Sequence, residues 1–332
     1  MKARYVNELA EGTQVDAAFV IRSKESRTTR SGEMYLSLEV ADRTGTIPVV
    51  AFRPQAAALS APVGAVVAIR GNVTRFKGIR RITADSVQPA EKWDRSDFVA
   101  EGRRPASEVE AEFIGIVRSI SNPELRRVLR AVFSDGEFMR RFKSHPASQS
   151  HHHAYIGGLI EHTTTVAGMC LQLAERYEGI DVDLLVAAAL LHDVGKVDEL
   201  VVDTSISYSD EGRLLGHVVL GHRRVATAIA QTGADARLAM RLEHALLSHH
   251  GELEWGSPKR PSTLEALVLH HADNLDAKAS GFSALLHNAS AADETWTDSQ
   301  NLFRRPLYAP RPVEDDRPHL ASEDEDVLRR SA

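Results

Sequence analysis

Hydrophobic periodicity changes once along this chain, near Pro89, and that change limits its fold more than any other feature. Residues 14–87 read as short strands between turn signals, whereas from Ser107 almost to Ser280 the spacing is helical. Val15–Arg22 is the first expected strand, followed by the polar, basic loop SKESRTTRSG. Met34–Val40 alternates, with Met34, Leu36, Leu38 and Val40 on one face and Tyr35, Ser37 and Glu39 on the other. Thr46–Phe52 follows the turn Asp42-Arg43-Thr44-Gly45. Pro54–Leu59, short and Ala-rich, predicts a helical turn, and Val66–Thr74 and Ile79–Val87 are joined through Lys77-Gly78.

Five strands with a helical piece between the third and fourth is the layout of an OB-type barrel. Other small barrels share the strand count, so the order of elements carries the reading. Residues 91–106 are polar, with Trp93 and Phe98 as isolated apolar points, and read as a linker. Beyond it the expected helices are Glu108–Ile120 with Ser107 as N-cap, one opened by Asn122-Pro123, Gly158–Tyr177, Asp183–Val194, Gly216–Gln231, Asp235–His250 and Ser262–Lys278. The acidic end, Glu314–Ala332, is too poor in apolar residues to predict a packed structure. The expected architecture is multidomain α and β. A five-stranded OB-type β-barrel spans 1–90, a linker 91–106, an all-α helical bundle 107–310 and an acidic tail 311–332.

Composition narrows the function. The 332 residues are 43% hydrophobic and 26% charged, ordinary for a globular chain and long for one domain. No run approaches the roughly 18 apolar residues of a membrane span, and the start, MKARYVNELAEGTQ, has no apolar signal core. A single cysteine, Cys170, excludes a disulfide framework and a Cys-based structural zinc, and suits a reducing, cytoplasmic setting. The net charge of −6 is uneven: residues 1–90 hold 13 Lys/Arg against 8 Asp/Glu, a balance of +5, leaving −11 to the remainder. A basic barrel suits a polyanion. Arg22, Lys24, Arg27 and Arg30 mark the first strand and its loop, and Arg75, Lys77, Arg80 and Arg81 the last hairpin. Tyr35, Phe52 and Phe76 are candidate stacking platforms for single-stranded nucleic acid. Any one of these arginines is an ordinary solvated side chain; only the joint pattern points to a strand.

All 15 histidines lie between His145 and His319. The central segment is LLHDVGK, residues 190–196, after the apolar run LLVAAALL; a His192-Asp193 pair there is costly to bury unless paired or metal-bound. His162 (GGLIEHT), His217 (LLGHVV), His249-His250 (LLSHHGE) and Asp273 (HHADNLDAK) each fall on or at the end of an expected helix. Helix-borne imidazoles and carboxylates converging in a bundle hold divalent metals. Without thiolate, the set favours Mn²⁺, Fe²⁺, Co²⁺ or Zn²⁺ over Ca²⁺ or Mg²⁺ alone. Read singly, each residue has a plainer role: a buried ion pair for His192 and Asp193, or a helix-end histidine for His250. His222, five residues after His217, leaves that helix face.

The ordered series His…His-Asp…His…His-His…Asp resembles the HD-domain superfamily of metal-dependent phosphohydrolases. GGLIEHT, LLHDVGK, SHHGELEWGSP and ADNLDAK resemble its signatures. With an OB domain in front, the chain resembles the YhaM-type 3′-to-5′ exoribonucleases over roughly residues 1–310. The resemblance implies a first metal site of His162, His192, Asp193 and Asp273. It also implies a second site in which Asp193 bridges to His217 and His249, with His250 as a ligand or phosphate contact. Two ions are expected, manganese first, with iron, cobalt or zinc as substitutes. Lys196, one turn after Asp193, is expected to meet a phosphate oxygen, and His152 and His153 to line the substrate entrance. The implied activity is hydrolysis of the 3′ end of single-stranded RNA, and of single-stranded DNA as a further substrate, releasing nucleoside monophosphates. A homo-oligomer is compatible with the resemblance, and no membrane partner is expected. Two other classes compete: a phosphohydrolase of small or cyclic nucleotides with a regulatory barrel, and a non-catalytic nucleic-acid-binding protein. The intact ligand series argues against the second, and the lack of a GYP-type signature argues against cyclic dinucleotides.

Overall fold

The computed structural model describes residues 4–310 except 30, 53, 77, 101, 103, 150–152, 292–294 and 300. The expected tail over 311–332, Arg30, Lys77 and His152 therefore lie outside the described residues. Two compact units divide the chain at Lys278/Ala279.

The first unit begins with a closed barrel of β1 (Gln14–Thr28), β2 (Met34–Asp42), β3 (Gly45–Phe52), β4 (Val66–Phe76) and β5 (Ile79–Pro89), in the order β1-β2-β3-β5-β4. The short helix α1 (Ala56–Ser60) lies between β3 and β4. Neighbours are antiparallel except β3 and β5, whose parallel pairing of Val49 with Ile82 closes the barrel. Alternation puts Leu36, Leu38 and Val40 into the core beside Phe19, Ile21, Ile47, Ile69 and Ile82. Met34, expected on that same face, is 52% exposed. It pairs with Thr28 where the β1–β2 ribbon runs past the end of β3, so no third strand covers it.

The helical half contains α2 (Ala106–Ser119), α3 (Pro123–Phe133), α4 (Gly136–Ser144), α5 (Gly158–Ala174), α6 (Val182–Leu191) and α7 (Lys196–Glu199). The hairpin β6 (Leu200–Val202) and β7 (Ile206–Tyr208) follows, then α8 (Asp210–Thr232), α9 (Ala236–Ser248) and α10 (Leu264–Ala291), whose last part belongs to the second unit. Three expectations need correction. Pro105, not Ser107, is the N-cap of α2: its carbonyl already accepts from Glu108 and Val109 at 3.0 and 3.3 Å. The helical run is interrupted by the hairpin, where β-branched Val201, Val202 and Ile206 flank an Asp-Thr-Ser turn. The helix α4, capped by Asp135, is an addition to the expected set. Asn122 does cap α3, accepting from Glu124 and Leu125 at 2.9 and 3.2 Å, with Pro123 at the first position.

α6 is buried all round, every residue from Leu184 to Leu191 lying in the core, as a helix without a polar face must. Cys170 on α5 is buried too, and burial pushes its thiol up to about 12, so it stays protonated and packs as a small hydrophobe. In the second unit, Trp296 bridges Tyr308 with ring centroids 5.1 Å apart.

Candidate metal centre and strand-binding face

Because α6 is the innermost helix, the residues at its C-terminal end, His192 and Asp193, arrive fully inside the protein. α5 contributes His162 from its second turn, and α10 contributes Asp273 and, one turn later, Asp276. α9 ends at Ser248, so that His249 and His250 stand on its terminal turn. His217 follows a break inside α8: Gly216 has φ 72° and ψ 157°, so the helix restarts at the histidine.

The side chains form two groups that share Asp193. In the first, His162 Nε2 is 3.2 Å from Asp193 Oδ2, 3.2 Å from Asp273 Oδ1 and 3.2 Å from His192 Nε2. In the second, Asp193 Oδ1 is 3.5 Å from His217 Nε2 and 3.8 Å from His249 Nε2, and His217 Nε2 is 3.1 Å from His250 Nε2. One carboxylate thus turns one oxygen to each group. The seven ligands implied by the resemblance lie together, and His162, His192 and Asp193, like His217, His249 and His250, are close enough to hold one ion per group.

Every imidazole here has its Nδ1 occupied. His162 donates to Asp276 at 2.6 Å, His192 to the Ala189 carbonyl at 2.7 Å and His217 to Glu199 at 2.9 Å. His249 donates to the Leu246 carbonyl at 2.7 Å and His250 to the Trp255 carbonyl at 3.0 Å. Those partners are acceptors, so the neutral ring carries its proton on Nδ1 and turns the Nε2 lone pair inward. Two lone pairs facing each other at 3.1–3.2 Å repel unless a cation lies between them. The buried Nε2 of His249 has no hydrogen-bond partner among the described residues. The donor set therefore fits divalent metal.

Protonation follows the same logic. Burial would raise Asp193, but the Lys196 ammonium and His192 hold it well below the usual carboxylate range. Burial likewise opposes the low value of Asp273, which its hydrogen bond to His162 and the charge of His192 maintain. His249 is pushed well below the usual histidine value by burial and then by His250 and His192. For His162 burial works against the charged form but loses to Asp193, Asp273 and Asp276, which hold it well above its usual value. This surplus of anionic charge is what a bound cation offsets, displacing the proton.

Two sequence-derived roles, those of Lys196 and His153, look different in place, whereas His222 lies off the metal groups as expected. Lys196 lies 2.5 Å from Asp193 Oδ2 and is buried, so its ammonium is engaged by that carboxylate. His153 is buried behind the first group, with Nε2 2.9 Å from Asp276 and Nδ1 2.7 Å from the Tyr155 hydroxyl. His222 sits 3.3 Å from Glu243. Sequence reasoning missed Asp276 and Glu199, the carboxylates that hold His162 and His217. The spacing of Asp276 three residues after Asp273 places both on one helix face and was the available signal. Glu199 had none, because its contact with His217 depends on the hairpin turning the chain back.

On the barrel, Phe52 is 50% exposed and stands opposite Tyr35 in register, ring centroids 5.7 Å apart. Phe76 is also exposed, at the far end of the barrel, with the Arg81 guanidinium 4.3 Å from its ring. Arg27 pairs with Glu25 at 2.7 Å and Arg75 with Glu11 at 3.2 Å, both on the surface. Lys24 donates to the carbonyls of Leu59 and Ala61, and Arg80 to that of Leu9. Arg22 is half-buried.

A protein-family model described as HD domain matches residues 159–278, the stretch carrying all seven candidate ligands. One described as OB-fold nucleic acid binding domain matches residues 19–90, the barrel, and one described as putative helicase matches 112–178. Among solved structures, the second OB-fold domain of replication protein A from Methanococcus maripaludis is 19% identical and covers 27% of this chain and 97% of that one. Its TM-score of 0.23 leaves the strand order as the support for the barrel's fold. The 3′-5′ exoribonuclease YhaM of Bacillus velezensis is 32% identical over 272 residues, 80% of this chain and 86% of that protein. The protein of the same name from Bacillus subtilis is 30% identical over 288 residues, 86% and 91% of the two chains. With barrel and helical half aligned together over most of both chains, this protein belongs to the YhaM family of 3′-5′ exoribonucleases.

Proposed function

We propose that this chain removes nucleoside monophosphates one at a time from the 3′ end of single-stranded RNA, at a centre of two divalent ions. The observation that carries the reading is Asp193, which directs one carboxylate oxygen to each of two imidazole groups. His162, His192, Asp193 and Asp273 would hold one ion, and Asp193, His217, His249 and His250 the other. Imidazole and carboxylate donors without thiolate suit manganese first, and iron, cobalt or zinc as well. Divalent ions there supply Lewis acidity, lowering the pKa of water and offsetting the charge that builds on a phosphodiester under attack.

The chain's own residues supply the rest. Asp276 and Glu199 fix the rings of His162 and His217, so the donor atoms are in place before an ion arrives. Lys196 compensates Asp193, and on substrate binding its ammonium can turn to a phosphate oxygen. Residues 1–90 hold the strand, residues 107–310 cut it, and 91–106 join the two. No helix among the described residues is long and apolar enough to cross a membrane, and we place the protein in the cytoplasm, assembled as a homo-oligomer.

The test is incubation of the full chain with Mn²⁺ and RNA labelled at either end, beside DNA of the same sequence and a panel of free and cyclic nucleotides. The 3′ label should be released first, as nucleoside monophosphate, and chelation should stop the reaction. Hydrolysis of the free nucleotides with RNA left intact would replace this reading with the small-nucleotide one.

A further inference from the structure

Where the barrel meets the helical half, within the first unit, the surface forms an open-sided cavity of about 530 Å³. Its walls come from four segments: Arg22 and Arg43 of the barrel, Phe98 of the linker, Gln149 and Ala154 ahead of α5, and Ser205 of the β6–β7 turn. Hydrogen bonds pin these walls. The Arg43 amide donates to the Asp97 carbonyl at 2.9 Å, Ile156 to Ala100 at 2.8 Å, and the Thr204 hydroxyl to the Gly64 carbonyl at 2.9 Å. The cavity is thus formed in the free protein, in the size range of small-ligand sites.

Its charge is unbalanced. Among the described residues the Arg22 guanidinium has no hydrogen-bond or ion-pair partner, although it is half-buried. Burial works against its charge, and Glu39 is the charged group that favours it. Asp42, the acid in the wall, already accepts from the Val6 amide at 2.9 Å and from Thr44 at 2.9 and 2.6 Å. A desolvated, unpaired guanidinium is costly in the free protein and is suited to an anion that accepts two parallel hydrogen bonds. The cavity also adjoins the chemistry. Ala154 follows His153, whose ring reaches Asp276, which in turn holds the metal-group histidine His162.

We infer that this junction cavity binds an internal phosphate of the single strand, upstream of the end being cut, with Arg22 as its main partner. The inference rests on the strand-degrading function proposed above and adds the path between barrel and metal centre. Barrel and helical half both line the cavity that Arg22 borders, so a strand crossing between the two halves has this half-buried guanidinium within its reach.

The experiment measures binding of a 5′-labelled oligoadenylate of about twelve nucleotides to the full chain in chelator, so that nothing is cut. Arg22→Gln should raise Kd roughly ten-fold, the scale of one charge-assisted hydrogen-bond pair. It should also flatten the log Kd–log salt slope by about 0.7, one phosphate contact on a single strand. Methylphosphonate placed at one linkage at a time should weaken the parent at an upstream position where Arg22→Gln is indifferent, while both stay sensitive elsewhere. Ser205→Tyr, filling the cavity from the opposite wall, should raise Kd as well, and it carries the test if Arg22→Gln does not fold. Unchanged Kd and slope in Arg22→Gln, an unchanged methylphosphonate profile, or unchanged affinity in Ser205→Tyr would overturn the inference while leaving RNA hydrolysis by the parent standing. A parent that neither binds nor degrades the strand would overturn both.

Discussion

At the scale of single residues, the centre is defined by where protons are held. Five imidazoles spend their Nδ1 protons on carboxylates or carbonyls, and their Nε2 atoms converge on one another and on Asp193 and Asp273. Asp193→Asn removes the shared charge and should reduce RNA hydrolysis to background in a chain whose circular dichroism is unchanged. Full activity in that folded variant would sink the two-group assignment. The carboxylates behind the ligands should separate the groups. Glu199→Gln should weaken the ion at His217, and Asp276→Asn the ion at His162, each by about 10–100-fold. Calorimetric titration with Mn²⁺ resolves this as loss of one binding step in each variant. If both variants lose the same step, the ions do not divide as proposed.

At the scale of elements, ligand placement depends on one close approach of backbone and one break in a helix. A Cβ at Gly195 would stand 2.1 Å from the His217 carbonyl and 2.4 Å from the Gly221 amide, so the turn after Asp193 packs directly on α8. Gly216, with φ 72°, breaks α8 so that the His217 amide can meet Glu199 at 2.9 Å. Gly216→Ala should cost about 1–3 kcal/mol, read as a lower urea midpoint, and should weaken the His217 ion more than the His162 ion. Equal stability would show that the break tolerates a side chain. On the barrel, the Tyr35–Phe52 pair on adjacent strands is the element suited to stacking bases. Removing both rings should cost about 1–3 kcal/mol of strand affinity per base released, measured by fluorescence anisotropy. Undiminished binding would move the strand elsewhere on the barrel.

At the scale of the molecule, a barrel of +5 precedes a remainder of −11, so long-range charge favours a strand on one half only. The surface arginines Arg27 and Arg75 are held by exposed partners, and such pairs are worth about 0–1 kcal/mol. Phosphate can therefore displace those partners. Replacing both arginines with alanine should flatten the salt slope of binding by about 0.7 for each phosphate that is no longer neutralised; an unchanged slope would mean that these charges never meet the strand. Metal should couple to stability as well. At a hundred times Kd, Mn²⁺ should add about 2.7 kcal/mol, seen as a higher thermal midpoint that chelation reverses and Asp193→Asn lacks.

The strand alternation, the change of period at Pro89 and the order of histidines were legible in the sequence, because each is set by neighbours a few residues away. Burial of α6 followed from an apolar run with no polar face, and with it the expectation that His192 and Asp193 sit in the core. The hairpin at 200–208, the break at Gly216 and the carboxylate of Glu199 were not legible. Each depends on which segments meet after the chain has turned back, and no local pattern records that. The same holds for Arg22. In sequence it is one cation among many on a basic barrel, and only the meeting of four distant segments half-buries it without a partner among the described residues. The sequence determined which donors exist, while tertiary contacts decided which atoms face one another.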